Sequence, residues 1–271
     1  MPELPEVETV CRGLAPHLEN RILRGASVRE PRLRWPVPAD LDDLLRGQRI
    51  HHLTRRGKYL LAQLDDGALI MHLGMSGSLR LTPADVAPEK HDHLDLLLDD
   101  DRVLRYRDPR RFGALLWSER PDQHPLLAHL GIEPLSEAFN ATSLHALCQG
   151  RKTAIKLLLM DARLIVGIGN IYANEALFHA GIDPRLPAGR LSRPRCRILV
   201  DAVRRTLAQA IAAGGSTLRD FVDGHGKPGY FQQGYFVYGR TNETCHACAA
   251  PIRQIRQSAR SSFFCPHCQR R

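Results

Sequence analysis

Pro2 and Glu3 stand at the head of the stretch MPELPEVET. If Met1 is trimmed, Pro2 presents a secondary α-amine, which can attack a sugar carbon and carry the product as a charged iminium. An α-amino group titrates near about 7.7–8.0 and a lysine near about 10.4, so a terminal amine is far more often free base at neutral pH. The adjoining Glu3 carboxylate could supply or remove a proton at the same centre. A plainer reading also stands, in which Pro2 and Pro5 only stiffen the entry into a helix.

Four cysteines carry the strongest spacing signal. Cys245, Cys248, Cys265 and Cys268 form Cys-x2-Cys-x16-Cys-x2-Cys, which brings two thiolate pairs together as a tetrahedral Zn2+ site. Four thiolates close the coordination sphere, so one structural zinc is expected. Arg260 lies between the two pairs. From Arg240 to the end there are six arginines and one acid, Glu243. With a formal charge of +9 and pI near 9.5, this clustering points to a nucleic-acid partner, with a solvated basic face as the bland alternative. Cys11, Cys148 and Cys196 fall in helical patterns and read as packing residues.

Several elements must position these groups. Val7, Val10, Cys11, Leu14 and Leu18 recur at helical spacing between Glu6 and Glu19, with Pro16 in the last turn. From about Ile22 to Trp117 the pattern turns strand-like: Tyr59 to Leu64 and Ala68 to Leu73 flank one Asp-Asp-Gly turn, Leu94 to Leu98 and Arg102 to Arg107 flank Asp99-Asp100-Asp101, and Phe112 to Trp117 follows. Together they predict an antiparallel sandwich. Past a linker at Pro121 to Pro134 the pattern becomes helical: Thr153 to Met160, then Asn170 to about Ala180 behind the turn Val166-Gly167-Ile168-Gly169. Pro194 to Ala213 predicts a longer helix with Ile198, Leu199, Ala202, Val203, Leu207 and Ile211 on its core face.

The loops are unusual. His72-Leu73-Gly74-Met75-Ser76-Gly77 ends one strand, and Asp108-Pro109-Arg110-Arg111-Phe112-Gly113 puts arginine and phenylalanine on a turn. Met75 and Phe112 could be wedges for a base stack, with Arg110 reaching an orphaned base; both apolar residues could equally be core. Lys58 could reach a phosphate or be an ordinary solvated lysine. The glycine turn before Asn170 could expose N–H groups to a phosphate, and the glycine-rich segment Gly224 to Gly234 could close over a ligand. There is no P-loop, HExxH or Gly-x-Ser-x-Gly, which removes the common NTPase, metalloprotease and hydrolase readings.

MPELPEVET, RRGKYL around Lys58, HLGMSGSLR, DPRRFG, KTAIK, VGIGNIYANE and the four-cysteine tail, in that order, closely resemble bacterial formamidopyrimidine-DNA glycosylase over essentially the whole chain. The resemblance implies an α+β protein: an N-terminal antiparallel β-sandwich (2–130), a helical helix-two-turn-helix domain (131–234, the element itself about Arg151 to Ala180) and a zinc-finger β-hairpin (235–271). It implies DNA held between sandwich and helices with the damaged nucleotide flipped toward Pro2. By position, Pro2 is then the Schiff-base nucleophile and Glu3 the acid, with Lys58 and Arg260 in proton-donor or phosphate roles. His72, His91, Arg110, Arg151, Asn170 and Tyr238 match DNA contacts. Met75, Arg110 and Phe112 match the residues that fill the void left by flipping. Arg219 stands where some relatives carry lysine in the lesion-capping loop, and Phe264 replaces a frequent tyrosine.

The expected activity is excision of oxidised purines with strand cleavage, by a monomer acting on damaged double-stranded DNA. An endonuclease VIII-type enzyme for oxidised pyrimidines and a non-catalytic zinc-ribbon binder are the alternatives. No run approaches the ~18–20 apolar residues of a membrane span and no signal-peptide pattern opens the chain, so a cytoplasmic protein without a membrane partner is expected.

Overall fold

The computed structural model describes residues 2–215 and 234–271, leaving Met1, Arg219 and most of the glycine-rich segment outside the described residues. The described residues form two compact units, one running to Ala128 and the other from His129 onward.

The first unit opens with helix α1 (Leu4–Leu18). Its face of Val7, Val10, Cys11, Leu14 and Leu18 is buried in a core shared with the strands. Burying a Val or Leu side chain stabilises by roughly 1.5–3 kcal/mol, so packing holds α1 in spite of Pro5 and Pro16. Eight strands follow: β1 (Leu23–Val28), β2 (His52–Arg56), β3 (Tyr59–Gln63), β4 (Ala68–His72), β5 (Ser78–Pro83), β6 (Asp92–Leu98), β7 (Arg102–Arg107) and β8 (Ala114–Ser118), with a short helix α2 (Leu41–Leu45) after β1. They make two antiparallel four-stranded sheets, ordered β1-β6-β7-β5 and β2-β3-β4-β8. Period-2 alternation sends Leu94, Leu96, Leu98, Leu104 and Tyr106 into the same core as Leu60, Ala62 and Met71.

The opposite face of β6 and β7 is charged. Asp95 accepts bidentate bonds from Arg29 at 2.8 and 2.9 Å and from Arg105 at 2.8 and 2.9 Å. Beside it, the Asp92 carboxylate takes a 2.7 Å bond from Arg80. Arg105 is only 1% exposed, so its charge depends on these partners.

The second unit contains α3 (Ala141–Cys148), α4 (Ile155–Leu159), α5 (Asn170–His179) and α6 (Arg193–Ala212), then the hairpin β9 (Arg253–Gln257) and β10 (Arg260–Phe264). Helix α4 is shorter than the sequence pattern implies, because Ala154 has extended backbone (φ −60°, ψ 140°) and caps it. One expectation fails on α6. Its buried residues are Cys196, Leu199, Val200, Ala202, Val203, Thr206, Leu207 and Ala210, whereas Ile211 is only partly buried and Ile198 is 50% exposed. At about 3.6 residues per turn Ile198 falls on the side opposite Val200 and Val203. The helix ends at Gly214 and Gly215, both left-handed (φ 78° and 79°), where a side chain would be strained.

Replacing Asp95 by Ala should destabilise the first unit by about 3–5 kcal/mol at pH 7, since it removes both Asp95 hydrogen bonds to the buried Arg105 charge and leaves it only the ion pair with Asp92, at 3.9 Å. Burial alone would raise the Asp95 carboxyl, but the bonds from Arg29 and Arg105 outweigh it and hold its pKa below the usual value. Its contribution is therefore complete above the unfolded value near about 3.9 and lost as pH falls through the lower folded value. Urea unfolding of Asp95→Ala and wild type at pH 7 and in acid measures both effects; equal midpoints at pH 7 would contradict this account.

Candidate functional site

In the first unit the chain terminus is held. Pro2 is buried, and Glu3, 2% exposed, is the extended N-cap of α1 (φ −108°, ψ −170°). The Glu3 backbone N–H donates to Glu6 Oε2 at 2.7 Å, the backward half of a capping box. Since Glu6 is itself buried, the Pro2–Glu3 peptide is fixed against a side chain that has no room to swing.

Two residues further along α1, Glu8 accepts from Arg12 at 2.6 Å and from Arg55 at 2.8 Å. Arg55 also donates to the Gly57 carbonyl at 3.0 Å, which fastens the β2–β3 turn, and with it Lys58, to the first helix. Burial would raise the Glu8 pKa, but the hydrogen bonds from Arg55 and Arg12 prevail and lower it.

His72, at the end of β4, lies directly across from Tyr59 in register, their rings 4.8 Å apart. Its Nδ1 accepts the Gly74 N–H at 3.1 Å. Burial, reinforced by the positive charges of Lys58 and Arg34, pushes its pKa down to about 4. At neutral pH His72 is therefore uncharged, with its proton on Nε2.

Met75 and Phe112 are 40% and 41% exposed, so of the two readings open in the sequence they are surface projections and not core. The Arg110 guanidinium lies 4.8 Å from the centre of the Phe112 ring. Apolar tips this exposed beside a cation have the composition of a wedge. His91 sits on a separate turn with left-handed backbone (φ 74°); desolvation, then the charges of Lys90 and Arg107, lower its pKa.

In the second unit Asn170 is the first residue of α5, behind Gly169 as cap. Its Oδ1 is buried without a hydrogen-bond partner, an exception among buried polar atoms. Arg151 is exposed, and its Nε donates to the Leu147 carbonyl at 2.7 Å. Tyr238 is held through its backbone: Glu175 of α5 accepts from the N–H groups of Phe236, Val237 and Tyr238 at 2.8, 3.0 and 2.8 Å.

Arg260 leaves the hairpin turn exposed, paired across the strands with Gln257. Ser258 and Ala259 both have positive φ (43° and 61°), the condition for a two-residue turn that matches strand twist. The strand after Arg260 is pinned from α4 and α5. Lys156 Nζ donates to the Ser261 carbonyl at 2.7 Å and to Ser262 Oγ at 2.6 Å, and Asn174 Oδ1 accepts the Phe263 N–H at 2.8 Å. The sequence reading assigned no role to Lys156, Asn174 or Glu175, although KTAIK and NIYANE contain them. Phe264 is buried beneath the Arg185 guanidinium, 4.5 Å from its ring centre.

The four cysteine sulfurs lie within 4.8 Å of one another, Cys245 to Cys268 at 3.9 Å and Cys248 to Cys265 at 3.4 Å. Zn–S bonds of about 2.3 Å in a tetrahedron require sulfurs about 3.8 Å apart, so the donor set fits zinc. Backbone N–H groups of Ala247 and Cys268 point at Cys245 and Cys265 Sγ, each at 3.4 Å, which favours the thiolate form.

A two-sheet unit with its chain terminus locked at the head of a helix, followed by a helical unit with a four-thiolate hairpin, defines a zinc-finger DNA glycosylase. Residues 1–115 match the formamidopyrimidine-DNA glycosylase N-terminal domain, 130–222 the formamidopyrimidine-DNA glycosylase H2TH domain, and 242–271 the zinc finger found in FPG and IleRS. The chain belongs to the formamidopyrimidine-DNA glycosylase family. It is 58% identical over 270 residues to the Thiobacillus denitrificans formamidopyrimidine-DNA glycosylase, covering 100% of both chains, and 58% identical over 273 residues to that of Laribacter hongkongensis, again 100% of both. The crystal structure of the MutM (FPG) protein of Thermus thermophilus superposes with a TM-score of 0.87 at 42% identity, over 99% of this chain and 98% of that one. A Lactococcus lactis FPG mutant in complex with Fapy-dG-containing DNA superposes at 0.90 and 35% identity over 100% of both.

Two measurements check this geometry. An NMR titration should show the His72 imidazole neutral from pH 8 down to pH 5, protonating only near its depressed value; a midpoint at about 6.5, the ordinary value, would contradict the burial argument. Purified protein should release one zinc per chain on thiolate modification. Cys245→Ser should lose that zinc and the amide protection of β9 and β10 while β3 and β4 keep theirs. Full hairpin protection without metal would overturn the structural assignment.

Proposed function

We propose that this protein excises oxidised purines, 8-oxoguanine and formamidopyrimidines, from duplex DNA through a Schiff base on Pro2 and then cleaves the abasic strand by β,δ-elimination. The observation that carries the reading is the hold on the chain terminus: a buried Pro2 and an N-cap Glu3 whose peptide is fixed by Glu6 at 2.7 Å. Relatives described as formamidopyrimidine-DNA glycosylases, and a neighbour solved as MutM in complex with carbocyclic 8-oxo-G-containing DNA (35% identity, TM-score 0.89), support oxidised purines over oxidised pyrimidines.

The Pro2 amine attacks C1′ and the bond to the damaged base breaks. A proton from Glu3 reaches the sugar ring oxygen, the C1′–O bond opens, and an iminium remains. The iminium acidifies C2′, so a proton is lost there and the 3′ phosphate leaves; a second proton loss expels the 5′ phosphate. Water then frees the amine. Lys58 and Arg260 supply charge and protons at the departing phosphates. His72, His91, Arg110, Arg151, Asn170 and Tyr238 grip the DNA, with His72 donating as a neutral group. Met75, Arg110 and Phe112 fill the space the flipped nucleotide vacates. Arg219, in the loop expected to cap the lesion, lies outside the described residues. Zinc, when bound, supplies the cross-link that closes the hairpin carrying Arg260.

This reading assigns 2–130 to the catalytic domain, 131–234 to the helix-two-turn-helix domain and 235–271 to the zinc finger. It has the protein act as a cytoplasmic monomer once Met1 is removed. Among the described residues no helix is long and apolar enough to cross a membrane.

Protein verified by mass to retain Met1 carries an amide at Pro2, whose lone pair is delocalised into the carbonyl. It should bind zinc yet form no borohydride-stable adduct with 8-oxoguanine DNA. An adduct formed at the rate of the trimmed protein would move the nucleophile to a lysine. In trimmed protein, Glu3→Gln should slow base excision by about 100-fold or more and affect cleavage of a pre-formed abasic site far less, because no glycosidic bond remains to be broken.

A further inference from the structure

Asp108 is 0% exposed, and no acid–base role in the chemistry above falls to it. Its carboxylate collects four donors from three stretches of chain. Oδ1 accepts the Ser76 hydroxyl at 2.6 Å and the Arg110 N–H at 3.3 Å. Oδ2 accepts the Gly113 N–H at 2.9 Å and the Tyr106 hydroxyl at 3.1 Å. Ser76 Oγ in turn accepts the Arg110 N–H at 3.1 Å, so the Arg110 amide is shared between the two. All four donors are neutral. Burial, then the nearby Asp108 charge, raises the Tyr106 phenol well above its ordinary range, which keeps its proton in place as a donor.

The residues joined in this way flank the exposed tips. Met75 directly precedes Ser76, while Arg110 and Phe112 lie between Asp108 and Gly113. The Asp108 backbone extends the same hold to the turn bearing His91, since its N–H donates to the His91 carbonyl at 3.1 Å and its carbonyl is bonded to His93 Nε2 at 2.8 Å.

Backbone packing leaves the two loops no slack. A Cβ added at Gly74, which is left-handed (φ +63°), would lie 2.5 Å from the Phe112 carbonyl carbon, and one at Gly113 would lie 1.8 Å from the Tyr106 oxygen.

We propose that Asp108, acting through Ser76, is the positioning residue that makes the Met75 loop and the Arg110–Phe112 loop one rigid wedge before DNA arrives, and thereby sets discrimination of the base opposite the lesion. This rests on the reading of Met75, Arg110 and Phe112 given above. Opening a base step requires a few kcal/mol, and a loop free to yield would give way in place of the stack. A buried carboxylate suits this role, because hydrogen bonds to a charged acceptor are roughly twice as strong as neutral ones, and each oxygen here binds both its own loop and a second segment.

Ser76→Ala is the decisive variant, because Ser76 is only partly buried and its loss removes the one side-chain bond from the Met75 loop to Asp108. Single-turnover excision of 8-oxoguanine opposite cytosine and opposite adenine reads the wedge. Borohydride trapping on a single-stranded abasic oligonucleotide, which has no stack to open, reads the amine chemistry alone. Ser76→Ala should compress the cytosine-to-adenine ratio by about tenfold, the scale of one lost hydrogen bond to a charged group, with single-strand trapping unchanged. Ser76→Thr, which keeps the hydroxyl, should restore the ratio. Asp108→Asn should reproduce the Ser76→Ala pattern if it folds, and Ser76→Ala decides alone if it does not. An unaltered ratio in Ser76→Ala, or equal losses in both assays, overturns the proposal. Failure of the unmodified protein to trap the abasic strand would instead remove the Pro2 reading.

Discussion

Chain ends ordinarily fray, so a terminal amine can serve chemistry only where the fold immobilises the first peptide. Here one buried carboxylate does this: Glu6 reaches back one turn to the Glu3 N–H. That bond holds its geometry because α1 is itself immovable, with Val7, Val10, Leu14 and Leu18 seated in the core of the sandwich. The sandwich thus serves the terminus in the way a socket serves a pin, and the Glu8–Arg55 pair adds the β2–β3 turn to the same rigid assembly.

The second unit faces a different constraint. A two-stranded hairpin is marginal alone in water, and β9–β10 carries exposed arginines on a small apolar cluster of Phe178, Val237, Ile252 and Phe263. Three supports compensate. The four sulfurs close one end; Lys156 and Asn174 hold the middle of β10 from two helices; Glu175 fixes the turn through Phe236, Val237 and Tyr238, which pack in the same apolar cluster. Lys156 and Asn174 bond backbone groups of β10 itself, and Glu175 bonds those of the 236–238 turn.

Much of this was legible in the residues. Periodicity located α1, the two central hairpins and α6, and cysteine spacing located the metal site, because these signals are local and repeat along the chain. What was not legible depends on contacts distant in sequence. Lys156 has the composition of a solvated lysine and is fully buried, since its partners lie more than a hundred residues away. Asp108 appears as a turn residue before proline, and its grip on Ser76 becomes visible only when β4 and β8 are side by side. Ile198 misled because apolar type was read as burial, whereas helical phase places it in solvent. Exposure also separated the two readings of Met75 and Phe112, which residue type alone left open.

The turn at the tip of the zinc hairpin has a consequence for engineering. Ser258 and Ala259 both occupy left-handed backbone with no side chain or glycine that favours it, and for an ordinary L-residue that conformation is disfavoured by roughly 1–2 kcal/mol. The Asn-Gly pair adopts the same geometry without the steric penalty. The tip is therefore a place where thermal tolerance can be raised while every buried atom, every zinc ligand and Arg260 itself stay as they are.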